Sequence, residues 1–288
     1  MNGIINCYKP EGITSFDAVA KIKKTSKEKK VGHTGTLDPA ASGVLPICLG
    51  KATKLIDLIM NGNKKYEVEL ILGTVTDTYD KEGKIIETKD VEVCENEIIG
   101  LINSFKGEIM QVPPMYSALK VNGKRLYELA RKGIEVERQA RKVTIYDINI
   151  INIKNKTVKF DVVCSKGTYI RSLCFDIGNM LGCGAMMGNL KRKSSGIFNI
   201  ENSINVLDLN ENNIYDSIIS MEEVLKIYTP ITVNKKFYTL LKNGVKVSDK
   251  SLIANLQDGL YRVYDEENNL VGIGKMGENQ FKLQTLLI

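Results

Sequence analysis

The segment of residues 31–54, VGHTGTLDPAASGVLPICLGKATK, constrains this chain more than any other part of the sequence. It consists mostly of small residues around one acid, Asp38, and it contains His33, the only histidine of the chain. Its glycines allow a tightly folded backbone, and Pro39 fixes φ directly after the acid. The segment therefore predicts a rigid loop that presents one carboxylate to a ligand. The alternative without a ligand is a glycine-rich turn in which the aspartate side chain hydrogen-bonds to nearby backbone.

The spacing of these glycines excludes the common phosphate-binding loops. Gly50 and Lys51 are followed by Ala52 where a P-loop needs Ser or Thr, and Gly43 lies too far upstream. The first two glycines of the segment do not form G-x-G-x-x-G either. The loop is therefore not interpreted as a nucleotide-binding element.

Composition sets the broad class of the protein. A chain of 288 residues that is 43% hydrophobic can bury the cores of two domains. It has no apolar run long enough for a transmembrane helix, and its N-terminus does not resemble a signal peptide. Its six cysteines form no C-x-x-C pair, which is typical of reduced thiols in a cytoplasmic protein. One histidine cannot complete a zinc finger, and a Ser-His-Asp triad would have to use His33.

Basic residues are concentrated in two segments although the net charge is only +6. Residues 21–30 and residues 120–142 each carry a net charge of +5, so the remaining chain is slightly acidic. Such segments indicate phosphate-contact surfaces, and for residues 21–30 an ordinary solvated lysine face is an equal alternative. Residues 120–142 also combine arginines with Tyr127 and two glycines, which favours a flexible RNA-binding arm over about 114–142.

Hydrophobic periodicity predicts an α+β protein: a mixed, largely antiparallel sheet with flanking helices, followed by a small C-terminal β-barrel. Predicted strands cover residues 66–72, 143–151 and 158–164, while predicted helices follow a cap at Thr14 or Ser15 and cover residues 170–180. Residues 201–229 are acidic and lead to Pro230. We therefore predict two domains, residues 1–229 and residues 230–288.

Several motifs resemble those of one enzyme family. GHTGTLDP followed by SGVLPICLGKATK resembles the active-site motif of the TruB-type tRNA pseudouridine synthases. Further segments match in the family's order: Tyr8–Ser15, Lys65–Tyr66, Leu72–Thr78, Gln111–Lys120, Cys164–Leu173, Leu190–Arg192 and Gly196–Phe198. The resemblance covers about residues 3–200 and continues more weakly to the end. Lys191 stands where the family usually has Arg, and Phe16 where it has His.

The resemblance implies isomerisation of uridine to pseudouridine in the T-loop of tRNA (position 55 in tRNA numbering). The target base is flipped out of the RNA loop, and the glycosidic bond is broken and re-formed without a cofactor or a metal. Asp38 is the implied catalytic residue, either as a nucleophile or as a base that removes a sugar proton. The implied substrate-binding residues are His33, Tyr66, Tyr169, Arg171 and Leu190, with Tyr66 stacking on the base and Arg171 beside Asp38. Candidates for RNA-backbone contacts are Lys9, Lys120, Arg125, Arg131, Arg141 and Arg192.

The resemblance further implies a PUA-like RNA-binding domain at residues 230–288 and a monomeric enzyme whose partner is the tRNA T-arm. Other RNAs with T-loop-like stem-loops are further candidate substrates. Three alternatives use the same residues: a tRNA-folding chaperone with dispensable catalysis, a synthase guided by small RNAs and partner proteins, and a small-molecule α+β enzyme. The compact chain with its own basic arm favours the stand-alone enzyme, and a small-molecule enzyme leaves the basic segments unexplained.

Overall fold

A computed structural model describes residues 1–121 and 123–288 of the chain. The strands are β1 Gly3–Lys9, β2 Val31–His33, β3 Ala41–Leu49, β4 Lys64–Leu72, β5 Thr74–Thr76, β6 Ile85–Thr88, β7 Gly107–Gln111, β8 Lys120–Val121, β9 Lys124–Arg125, β10 Arg141–Lys154, β11 Thr157–Cys164, β12 Ala185–Ser195, β13 Phe198–Asn199, β14 Ile204–Asn205, β15 Ile218–Ile219, β16 Thr229–Thr232, β17 Gly259–Tyr264, β18 Leu270–Gly277 and β19 Gln280–Leu286. The α-helices are α1 Ser15–Ser26, α2 Ile56–Met60, α3 Glu95–Ser104, α4 Leu126–Ala130, α5 Ile170–Met180, α6 Met221–Leu225, α7 Lys235–Lys242 and α8 Lys250–Ile253.

The larger sheet runs in the order β14-β1-β3-β12-β4-β11-β10-β7, with β2, β13 and β15 paired at its margins. Two of its strand pairs, β1 with β14 and β3 with β12, are parallel, and the other pairs are antiparallel. The prediction of a mixed, largely antiparallel sheet with flanking helices is therefore confirmed.

Strand β3 is the most deeply buried part of this sheet, because every one of its residues is buried. Leu45 and Ile47 join the core formed with α1, α3 and α5, whereas Val44 and Cys48 join a second core on the opposite face. A continuous run of apolar and small residues is what a strand covered on both faces requires. The loop that contains Asp38 leads directly into this buried strand.

A second sheet, in the order β16-β17-β18-β19, contains the C-terminal residues. Phe237 of α7 packs against Phe281 of β19, and Val263 and Val271 complete a separate core there. Ile273 of β18 packs instead in the second core, which also contains Val44 and Cys48 of β3, so the two sheets are in contact. No helix in the two described ranges is long and apolar enough to cross a membrane.

Candidate active site

The Asp38 loop, residues 34–40, is held by hydrogen bonds to its backbone. The Ser15 hydroxyl, at the first turn of α1, accepts from the Leu37 amide at 2.8 Å and donates to the Leu37 carbonyl at 2.9 Å. The Gly12 amide donates to the Pro39 carbonyl at 2.9 Å. Thr14 caps α1 through its side chain, as the sequence predicted, and this fixes the helix end that carries Ser15. The residues on both sides of Asp38 are thereby fixed to α1 and to the segment before it.

Two buried cations complete the support of this loop. The Lys9 ammonium donates to the carbonyls of Pro10, Ile13 and Pro39 at 2.8, 2.8 and 3.3 Å. The Arg192 guanidinium donates to the carbonyls of Val44 and Gly35 at 2.7 and 3.1 Å. Burial lowers the pKa of the Lys9 ammonium to about 8, although the charge of Asp38 raises it.

The prediction that Lys9 and Arg192 contact the RNA backbone is wrong. Their side chains are 0% and 2% exposed, and their donors are occupied by carbonyl groups of the protein. A buried cation must find such partners, and here the partners belong to the Asp38 loop and its surroundings. Lys9 and Arg192 therefore support the Asp38 loop from inside the protein.

Arg192 approaches so closely because it lies opposite Gly43 in the parallel pair of β12 and β3. Gly43 has a φ of +114°, and a Cβ atom built on it would lie 2.2 Å from the Arg192 carbonyl oxygen. Only glycine fits this position, because any side chain would force the two strands apart. The glycine of the sequence motif thus serves strand packing next to the loop.

The guanidinium of Arg171 links two carboxylates. Its Nε lies 3.1 Å from Oδ2 of Asp38 and its Nη1 lies 3.3 Å from Oδ2 of Asp80. The remaining donors reach the carbonyls of Thr78 at 3.3 Å and Tyr116 at 2.8 Å. Asp38 retains 37% side-chain exposure, whereas Arg171 and Asp80 are each 8% exposed. The predicted pairing of Arg171 with Asp38 is present, but as a bridge between two acids and not as a bidentate fork on one.

Asp80 is a site residue that the sequence analysis missed. Its neighbour Tyr79 has a left-handed φ of +65° and stacks on Phe175 of α5, with ring centroids 4.0 Å apart. Non-glycine residues adopt this conformation at a cost, so the stacking and the ion pair maintain it together. The sequence offered only the polar run Asp77-Thr78-Tyr79-Asp80 after a strand, which is typical of any turn.

Tyr66 and Tyr169 both lie within electrostatic range of Asp38. Tyr66 lies on β4 opposite Arg192, and Tyr169 immediately precedes α5. Burial raises the pKa of both hydroxyls, and the charge of Asp38 raises them further, so both tyrosines are protonated at neutral pH. Both tyrosines are partly exposed, so a ligand at Asp38 could contact them.

Leu190 and His33 are the other predicted substrate-binding residues. Leu190 is 8% exposed and belongs to the core against which Tyr66 packs. His33 ends β2, and its Nδ1 accepts from the Gly35 amide at 3.2 Å. Burial and the nearby charge of Arg192 lower the pKa of His33, so the imidazole is neutral at pH 7 and can keep this bond.

The basic arm presents its cations to solvent. Lys120, Arg125, Arg131 and Arg141 are all exposed. Arg125 and Arg131 lie over the ring of Tyr127, at 5.8 and 5.5 Å from its centroid. Stacked guanidinium groups of this kind keep their outward N–H donors free for phosphate oxygens. Among the described residues, no cluster of His, Cys, Asp and Glu could hold a metal ion.

Comparisons with known proteins identify one family. Residues 23–170 match the model of the TruB family pseudouridylate synthase N-terminal domain, and residues 171–231 match that of the tRNA pseudouridylate synthase B C-terminal domain. The chain is 59% identical to tRNA pseudouridine synthase B of Clostridium acetobutylicum and 56% identical to that of Clostridium tetani, with all of each chain covered.

Among solved structures, the chain is similar to one in the crystal structure of a Cbf5-Nop10-Gar1 complex, with a TM-score of 0.75 and 29% identity. The similarity covers 99% of this chain and 85% of that one. The resemblance drawn from the sequence motifs, and the enzyme class that it implied, are thereby confirmed. This chain belongs to the TruB family of pseudouridylate synthases, which convert uridine to pseudouridine in tRNA.

Proposed function

We propose that the substrate uridine is that of the tRNA T-loop, position 55 in tRNA numbering, and that Asp38 carries the chemistry. The observation that supports this assignment is the half-exposed carboxylate of Asp38, held against Arg171 on a loop whose backbone is fixed on both sides. The contact with Arg171 holds the carboxylate in one place for either route, attack on the sugar or removal of a sugar proton.

The reaction needs no imported group. The bond between uracil N1 and ribose C1′ breaks, the base turns, and C5 bonds to C1′ while the C5 proton moves to solvent or to N1. Tyr66 receives the flipped base against its ring, with Tyr169 and Leu190 forming the rest of the pocket. His33 fills the space in the RNA loop that the base leaves. The neutral state of His33 suits this role, because an uncharged ring is cheaper to bury between bases.

The tRNA backbone binds to surfaces outside the Asp38 site. The cations Lys120, Arg125, Arg131 and Arg141 contact phosphates of the T-arm, and residues 230–288 form a separate RNA-binding domain after a catalytic domain of residues 1–229. The enzyme acts as a cytoplasmic monomer, and RNAs with T-loop-like stem-loops are additional substrates. Support comes from the exposure of the four cations and from the separate core of the C-terminal sheet.

A minimal assay tests this proposal. The pure protein is incubated in chelator, with no other protein, with a pre-folded T-arm stem-loop and with the anticodon stem-loop of the same tRNA. We expect pseudouridine at position 55 of the T-arm alone. Modification of the anticodon arm, or a need for added metal or partner protein, would contradict the proposal.

The variant Asp38→Asn separates catalysis from binding in the same assay. It removes the ionised carboxylate but keeps the shape of the side chain, so we expect no product at enzyme excess and nearly unchanged affinity for the stem-loop. A wild-type protein that binds and refolds tRNA without forming product would instead support the chaperone alternative.

A further inference from the structure

The base of the basic arm, residues 111–117, is attached to the first turn of α5 by side-chain hydrogen bonds. The amide of Gln111 forms two of them, because its Nε2 donates to the Tyr169 carbonyl at 3.0 Å and its Oε1 accepts from the Tyr169 amide at 2.8 Å. Gln111 is 2% exposed, so this pairing is shielded from water. Its side chain thus makes the two bonds that a neighbouring strand would make.

Two more bonds join the same elements. The Ser172 hydroxyl donates to the Val112 carbonyl at 2.9 Å, and Nη2 of Arg171 donates to the Tyr116 carbonyl at 2.8 Å. Arg171 is the residue that contacts Asp38. One donor of the catalytic ion pair is therefore bonded directly to the backbone of the arm's base.

The contacts continue from that base into the arm. The Ser117 carbonyl accepts from the Tyr127 amide at 3.1 Å, and the Leu119 carbonyl accepts from the Leu126 amide at 2.8 Å. Tyr127 is the ring over which Arg125 and Arg131 lie. Cation–π contacts, backbone hydrogen bonds and one side-chain hydrogen bond therefore connect the exposed arginines to Arg171, the residue beside Asp38.

We propose that Gln111 is a positioning residue for catalysis: its amide fixes the arm's base to the start of α5, so that seating the arm on RNA also holds Arg171 beside Asp38. The inference rests on the proposed roles of Asp38 and Arg171. Tyr169 is the last residue before α5, and its carbonyl also accepts from the Leu173 amide at 3.0 Å. Fixing both polar groups of Tyr169 sets where the helix begins, and Arg171 follows two residues later.

Two substitutions test the pairing. Gln111→Leu keeps the approximate volume but removes both bonds. Gln111→Glu keeps the oxygen that accepts from the Tyr169 amide. Its second carboxylate oxygen replaces the amide NH2 group and, while the carboxyl is ionised, is repelled by the Tyr169 carbonyl oxygen. When that carboxyl is protonated, its O–H can donate to the carbonyl and restore both bonds. Burial beside an acceptor raises the pKa of such a carboxyl, so restoration begins at mildly acidic pH.

Asn6→Leu is the matched control for lost stability. The buried Asn6 amide also makes two bonds to backbone, donating to the carbonyls of Asn199 and Asn202 at 2.8 and 3.1 Å. These partners lie outside the arm and α5. The control therefore loses a comparable pair of buried bonds without touching the connection between arm and Arg171.

Single-turnover rates are measured with saturating enzyme on the T-arm stem-loop from pH 5.5 to 8.5, and each variant's rate is divided by that of wild type. Asp38, Asp80 and Tyr169 are present in every variant, as is Arg141, which pairs with Gln111 across the strands. The division therefore removes the pH dependence that all variants share. Urea midpoints are recorded in parallel, and hydrogen exchange reports the Tyr169 amide and the arm with and without RNA.

We expect Gln111→Leu to slow the bound-state rate about tenfold at every pH, the equivalent of one lost buried hydrogen bond. Gln111→Glu should be as slow at pH 8.5 and recover towards wild type as the pH falls, and exchange at the Tyr169 amide should rise in Gln111→Leu. Asn6→Leu should lower the urea midpoint alone. A wild-type rate in Gln111→Leu, or a pH-independent ratio for Gln111→Glu, would overturn the inference. An inactive wild type would instead refute the proposed function.

Discussion

Ser15→Ala tests whether the fixed backbone of the Asp38 loop matters for catalysis. The substitution removes one hydroxyl, 3% exposed by residue, that bonds both the amide and the carbonyl of Leu37 at 2.8 and 2.9 Å. A buried hydrogen bond contributes about 1 kcal/mol net, so two of them predict a loss of about 2 kcal/mol in the free energy of unfolding. With a typical slope, the urea midpoint falls by about 1 M.

The kinetic effect should exceed the effect on binding. With Leu37 released, Asp38 is free to shift, and a displacement of about 1 Å can cost on the order of 100-fold in rate. We therefore expect the single-turnover rate on the T-arm stem-loop to fall by roughly 10- to 100-fold, while the affinity stays within about twofold because the basic arm is untouched.

Ser26→Ala is the matched control at the other end of the same helix. Its hydroxyl is also buried but accepts a single local bond from the Glu28 amide at 3.2 Å. We expect a loss below about 1 kcal/mol in that variant and a wild-type rate. The reasoning fails if both variants react at the wild-type rate, or if both lose the same amount of activity.

Three further predictions concern stacking, RNA contacts and charge burial. Tyr66→Phe should keep most of the single-turnover rate whereas Tyr66→Leu should lose it, because a base stacked on an aromatic ring is stabilised by about 1–3 kcal/mol; equal losses would show that the hydroxyl is required. Simultaneous charge reversal of Arg125, Arg131 and Arg141 should weaken tRNA binding and reduce its salt dependence by about one unit of slope per lost phosphate contact, measured by titration at several salt concentrations; an unchanged slope would show that the arm does not touch phosphates. Burial raises the pKa of Asp176 to about 6, above its unfolded value, so the stability that this group contributes is full below about pH 4 and is lost as the pH rises through 6. Asp176→Asn should therefore raise the urea midpoint at pH 8 but not near pH 4, and a gain that is equal at both would refute the burial argument.

Much of the fold was readable from the sequence because local patterns decided it. The helix predicted over residues 170–180 is α5, Ile170–Met180, and the strand predicted over residues 66–72 lies within β4. The residue between β10 and β11, Asn155, has a φ of +53°, which suits a turn between the two predicted strands. Each of these elements is indicated by a short run of residues, through its hydrophobic periodicity or its turn residue. No contact with a distant part of the chain was needed to predict it.

The choice of Asp38 as the proposed catalytic carboxylate, and of Arg171 as its partner, also came from the sequence, through a long motif that resembles one family. The pairing of Arg171 with Asp38 at 3.1 Å agrees with that interpretation. Their catalytic roles remain proposals, and so do the substrate-binding roles of Tyr66 and Tyr169.

Tertiary structure alone decided what each cation near the site does. Composition cannot distinguish a lysine that meets RNA from one that meets carbonyl groups, and the difference for Lys9 and Arg192 arises from strands β1 and β12 lying inside the sheet. Asp80 joined the site only because a turn far along the chain folds back onto α5. The sequence by itself therefore determined the main helices and strands around the site and pointed to Asp38 as the candidate catalytic acid. The three-dimensional packing determined which polar groups are buried, because burial depends on residues that are distant in the chain, and a buried charge must bond whatever polar group the fold brings within reach.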